Sequence, residues 1–255
     1  MKKLYTFFCF ILIPIILSAS NKIDSLLNEL DKTVDNYQFY SNQKEEQLNK
    51  LKELLKYTSA YDQRYQICGK LFDEYKVYKS DSSLTYARKK LEIAEKLNNP
   101  RDIIDSQLNL ADIMGITGLY KESMDVLASI SINDLHDLKP YYFYIYRTVY
   151  GFMADYTIST QAKRQYENLI NAYRDTLLII NPPSSSTYIM VQSDKLNAER
   201  KYDESLQLLL NYYPQIKSDI HERAIIAYSI ALAYHGQRER EQEKIWLIID
   251  RKSVV

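Results

Sequence analysis

Between Ile104 and Ile130 the chain reads IDSQLNLADIMGITGLYKESMDVLASI, and this stretch limits what the rest can be. Two amphipathic helical patterns flank Thr117-Gly118: Leu108, Ala111 and Met114 before it, then Leu119, Ser123, Leu127 and Ile130 after it. Gly118 supplies a turn that a residue bearing a Cβ adopts less easily. Ala111 and Ser123 are small enough to let two helices approach closely, and the larger side chains fill the remaining space. The stretch therefore predicts a helix–turn–helix hairpin.

The hairpin resembles a tetratricopeptide repeat, a unit of about 34 residues. Leu110, Ala111, Gly118, Tyr120 and Leu127 fall where that family's pattern places them, whereas Gln107, Ser123 and Ile130 depart from its usual Trp, Ala and Ala. The resemblance implies a scaffold for binding and says little about what is bound.

Composition supports long helices. Five glycines and six prolines in 255 residues are too few for a turn-rich β-protein, and 46 % apolar residues suffice for a core. Tyrosine is the outlier, at 24. The formal net charge is zero, so no overall field favours nucleic acid or an anionic membrane, and charges of both signs are scattered as on solvated helix faces.

Residues 1–20 have the form of a signal peptide: Lys2 and Lys3, an apolar run from Leu4 to Leu17, then Ser18-Ala19-Ser20 as a small-x-small cleavage site. The run is short for a membrane span and holds Pro14, so cleavage and secretion are expected, with an uncleaved anchor as the alternative. Cys9 lies within the run without the small residues that precede a lipoprotein cysteine. Cleavage leaves Cys68 alone, sharing a helical face with Tyr61, Tyr65, Phe72 and Tyr75, which predicts a buried structural thiol.

Residues 21–58 read as an N-terminal helical cap of two amphipathic helices joined by a polar and aromatic link from Tyr37 to Gln43. Residues 59–249 read as a solenoid of roughly four and a half helix pairs. A first helix capped near Ser59 is followed by one N-capped within Ser80–Ser83, in which Ala87, Leu91 and Ala94 match the second-helix spacing. Pro100, Pro140, the serines Ser184–Ser186, and Asp219 with Glu222 open later helices, and Gly236 ends one. Arg200 stands in place of the turn glycine, and Tyr202 and Ser205 repeat the spacing of Tyr120 and Ser123. The predicted fold is thus an all-α, right-handed α-solenoid behind an N-terminal cap.

The C-terminus departs from that pattern. A repeat array needs a polar outer face on its last helix, yet the sequence stops partway through a packing helix, so a truncated chain that self-associates is expected. Asp250–Val255 match one reading frame of a common sequencing adapter and are expected to be non-native, an expectation that fails if an independently amplified gene carries the same codons.

No catalytic constellation is present. His136, His221 and His235 lack partners at metal-ligand spacing, and neither a glycine-rich phosphate loop nor a Gly-x-Ser-x-Gly elbow occurs, so no enzyme activity, cofactor or metal is expected. The helix from Tyr141 to Tyr150 is aromatic all round. This fits repeat packing, or alternatively a platform on which tyrosines stack on a ligand.

In tetratricopeptide arrays the concave surface comes mainly from first helices. That resemblance implies Asp105, Asn109, Asp112, Tyr144, Arg147, Asp194, Asn197 and Tyr228 as partner-binding positions. The implied partner is a protein or peptide, or a glycan, with no nucleic acid contacted.

A wider resemblance rests on Ile23–Leu27, on Leu71–Ser83 and on the repeats that follow. It is to proteins of Gram-negative gut bacteria in which a signal sequence precedes a tetratricopeptide region, one membrane helix, a coiled coil and a cytoplasmic helix-turn-helix. The resemblance implies the periplasmic sensing half of a membrane-bound transcription regulator, truncated before its membrane and DNA-binding parts. The alternative is a free-standing secreted ligand- or glycan-binding solenoid.

Overall fold

The computed structural model describes residues 23–217 and 219–254, with the backbone alone at 251–254. The leader expected at 1–20, including Cys9, lies outside the described residues. Every regular element among the described residues is helical. Helix α1 spans 23–35. It is followed by α2 (Tyr37–Tyr57), α3 (Tyr61–Lys76), α4 (Ser80–Leu97), α5 (Pro100–Ile116), α6 (Tyr120–Ser129) and a 3-10 turn at His136–Leu138. Then come α7 (Lys139–Tyr156), α8 (Thr160–Ile180), α9 (Ser186–Ala198), α10 (Tyr202–Tyr212), a 3-10 turn at Tyr213–Gln215, α11 (Ile220–Gln237) and α12 (Arg240–Val254). Consecutive helices pack as the pairs α3–α4, α5–α6, α7–α8, α9–α10 and α11–α12. The all-α class of tetratricopeptide-like helix pairs is therefore what the sequence folds into.

The described chain divides into two compact units, one formed by residues 43–182 and the other by 183–254 with 23–42. The sequence reading treats 59–249 as one array; the division falls at Pro182-Pro183, where two consecutive prolines follow the end of α8. In the 43–182 unit Leu71, Leu108, Ile113, Leu127, Ile145 and Leu177 are fully buried, each worth roughly 2 kcal/mol of transfer free energy. In the other unit Leu209, Ile226 and Ile230 play that part. Cys68 is buried as expected, and burial raises its thiol pKa, so it packs as an inert apolar group.

Three first helices end identically. Gly118 (φ 85), Arg200 (φ 61) and Arg238 (φ 66) are left-handed, and the next amide reaches back five residues: Leu119 N to Met114 O at 2.8 Å, Lys201 N to Leu196 O at 2.8 Å, Glu239 N to Tyr234 O at 3.0 Å. This closure satisfies carbonyls that the helix end leaves open. Arginine substitutes for glycine twice because the closure outweighs the strain of a Cβ in that region.

Three hairpins also share a buried serine. Ser83 Oγ donates to Phe72 O (3.0 Å) and Ser123 Oγ to Ala111 O (2.6 Å); Ser205 Oγ lies 2.9 Å from Ser193 Oγ and 3.4 Å from Ser193 O. In each case a second-helix hydroxyl bonds a first-helix group, so serine does more than the alanine of the family pattern: it is small and it fastens the pair.

Several local expectations are corrected. The link expected from Tyr37 to Gln43 is helix; the break is confined to Asn36, because without glycine or proline nothing stops α2 from starting at Tyr37. Ser59 does not cap α3, whose N-cap is Ala60, and Ser80–Ser83 lie inside α4, whose N-cap is Lys79; neither N-cap makes a side-chain bond. Gly236 does not end α11: it lies inside the helix, where a Cβ would stand 2.3 Å from the Tyr202 ring, and Arg238 takes the left-handed position. Ser185 and Asp219 do cap their helices, accepting from Tyr188 N and Glu222 N. Helix α12 continues without a break past Asp250 to Val254.

Candidate functional site

Asp105, Asn109 and Asp112 recur at i, i+4 and i+7 on α5, which places them on one helix face. The structure brings these three together, but it turns them inward. Asp105 Oδ2 accepts from Lys90 Nζ (2.6 Å) and from the Tyr65 hydroxyl (2.6 Å), and Lys90 Nζ also donates to Asn109 Oδ1 (2.6 Å). Asp112 Oδ2 accepts from the Tyr141 hydroxyl (2.7 Å) and pairs with Lys76. Lys90 also stands over the Tyr65 ring, 4.8 Å from its centroid. One network thus links α3, α4, α5 and α7.

Lys90 is 6 % exposed, Asp112 3 % and Asn109 7 %, so these charges are held away from water and must be paired. Two lysines balance two aspartates. Burial first, and then the carboxylates they bond, push the Tyr65 and Tyr141 hydroxyls far above the usual phenol range, so both remain protonated donors. The arrangement fixes the register of four helices; it is not a set of acceptors waiting for a ligand.

Lys76, Lys90 and Tyr65 were not singled out from the sequence. A signal existed for Lys90: Ser83, Ala87, Lys90 and Ala94 form one i, i+4, i+7, i+11 stripe on α4, and all four are buried. A lysine on a stripe of small buried residues needs an acid across the interface.

Tyr144 and Arg147 lie half-buried on α7, away from this network. Asp194, Asn197 and Tyr228 belong to the other unit: Asp194 and Asn197 are half-buried on α9, and Tyr228 is 47 % exposed on α11. The Asn197 side-chain oxygen is buried without a hydrogen-bond partner.

The aromatic helix α7 directs its rings at one another and at α8. Tyr146 and Tyr150 stack on Tyr173 with centroids 5.1 and 5.9 Å apart, Tyr142 meets Tyr146 edge-on at 4.9 Å, and Tyr120 stacks on Phe152 at 6.3 Å. Ring faces in mutual contact fit the packing alternative. Burial raises the Tyr146 hydroxyl strongly and pushes that of Tyr173 up to about 12.

Among the described residues no group of three His, Cys, Asp or Glu could hold a metal ion, and no helix is long and apolar enough to cross a membrane. Stacked helix pairs with a left-handed turn between first and second helices define a tetratricopeptide protein, a fold that serves protein interaction and is generally non-enzymatic. The family model described as the SusR N-terminal TPR domain matches residues 34–250, and the chain belongs to that family. No curated protein matches the sequence.

Proposed function

We propose that this chain is the periplasmic sensing and interaction module of a membrane-bound transcription regulator, whose membrane and DNA-binding parts would follow it in the full-length protein. The match to the SusR N-terminal TPR domain across residues 34–250 carries the reading. The export signal read in residues 1–20 supports the location. On this reading the module performs no chemistry. It binds a protein or peptide and transmits occupancy through the packing of its helix pairs.

The test is a pair of fusions following Ile249, one to a reporter enzyme that folds only outside the cytoplasm and one to a reporter that works only inside it. The outside reporter alone should be active. Activity of the inside reporter alone would sink the periplasmic reading. A free-standing binding protein would instead be released with the periplasmic fraction when expressed from its native gene, with no membrane-retained form.

A further inference from the structure

One face of α11 is open where the same face of its counterparts is covered. The shared left-handed turns fix the register: counting back from Gly118, Arg200 and Arg238, Leu108 of α5 corresponds to Met190 of α9 and Tyr228 of α11. By the same count Asp112 corresponds to Asp194 and to Leu232. In α5 this face is covered by α7: Leu108 is fully buried in the cluster that holds Tyr142 and Ile145, and Asp112 bonds Tyr141. In α9, which packs against α11, Met190 is half-buried. In α11 the equivalent residues Tyr228 and Leu232 are 47 % and 45 % exposed, and Ile225, on the same stripe, is 37 % exposed. Three large apolar side chains at i, i+3 and i+7 form a continuous uncovered seam.

The ends of the seam differ in charge. Glu222 lies one turn before Ile225, its carboxylate positioned by the Tyr212 hydroxyl at 2.7 Å. His235 lies one turn after Leu232, its ring positioned by Glu243 at 2.9 Å. A helix laid on this seam in the opposite direction, with the same residues, is complementary along its whole length.

We propose that α11 pairs with α11 of a second copy of this chain, antiparallel about a two-fold axis between Tyr228 and Ser229. Ile225 then faces the partner's Leu232, Glu222 faces the partner's His235, and the small Ser229 leaves room for the partner's Tyr228. The contact is isologous, so one seam serves both copies and the assembly closes at two. Antiparallel pairing also sets opposite ends of the helix dipoles side by side, whereas parallel pairing would set carboxylate on carboxylate.

The test is the mass of the purified protein by light scattering and sedimentation from about 1 to about 100 µM, the range suited to a small interface. The mass should double across that range. Ile225→Glu and Leu232→Arg should each abolish the doubling, with circular dichroism confirming retained helix. The combination of both substitutions should restore it, because the carboxylate introduced in one copy then faces the guanidinium introduced in the other. A monomer at every concentration overturns the proposal and leaves the seam to a helix from another source. So does a dimer that survives either single substitution, or a folded double variant that stays monomeric. None of these outcomes depends on where the protein resides or what it senses.

Discussion

Replacing Lys90 by methionine tests the buried network directly. Its ammonium holds two acceptors at 2.6 Å, Asp105 and Asn109, from a position 6 % exposed. Methionine matches the length of the side chain and removes only the charge and the donors. Breaking a buried ion pair from one side strands the other charge, at about 3–5 kcal/mol. Water reaches Asp105, whose side chain is 22 % exposed, so the lower end of that range, about 3 kcal/mol, applies. A second substitution, Asp105→Leu, removes the stranded charge, and the double variant should recover at least half of the loss, about 1.5 kcal/mol, although Tyr65 loses its acceptor. The assay is urea unfolding followed by far-ultraviolet circular dichroism on wild type, both single variants and the double. A cost below about 1 kcal/mol for Lys90→Met, or a double variant no more stable than the single, would refute the reasoning.

Other outcomes follow from local geometry. Arg200→Gly should stabilise by about 1 kcal/mol, because glycine holds the left-handed conformation (φ 61) without Cβ strain; an unchanged or lower urea midpoint would show that the arginine side chain contributes more than its strain costs. Gly236→Ala should destabilise by about 1–3 kcal/mol, since the new Cβ would stand 2.3 Å from Tyr202 Cε1, and Tyr202→Ala combined with it should relieve the clash in thermal melts. Stability should fall above about pH 10, where the unfolded chain ionises its tyrosines while the raised hydroxyls of Tyr65, Tyr141, Tyr146 and Tyr173 stay protonated in the fold. The native state then binds more protons than the unfolded one, so the loss begins at the unfolded pKa and continues towards about 12, the level of Tyr173. Part of the tyrosinate absorbance should therefore appear only as helicity is lost, and complete titration near pH 10 with the helices intact would contradict this.

The helix-pair architecture was legible in the sequence because it rests on local and periodic signals. The apolar period of 3.6 residues, the turn at Gly118, the proline at the start of α5 and the serine and aspartate caps of α9 and α11 each act within a few residues of themselves. The same locality let Arg200 be read as the replacement for a turn glycine. The start of α2 was misjudged for the converse reason: a polar, aromatic composition does not end a helix unless something competes for its backbone.

What the polar residues of α5 do was beyond the sequence. Periodicity placed Asp105, Asn109 and Asp112 on one face, but whether that face met solvent or Lys90, Lys76, Tyr65 and Tyr141 depended on residues 15 to 40 positions away. Only packing brings such partners within hydrogen-bond distance. Tyr228 is the complementary case. The sequence marked it as a surface residue of a first helix, and its register against Leu108 shows that the surface is a packing face without a cover. Sequence by itself determined which segments are helices and how they pair, since those free energies are local. Tertiary structure decided which faces are buried, which charges are neutralised and which seam is left open, since those depend on what lies opposite.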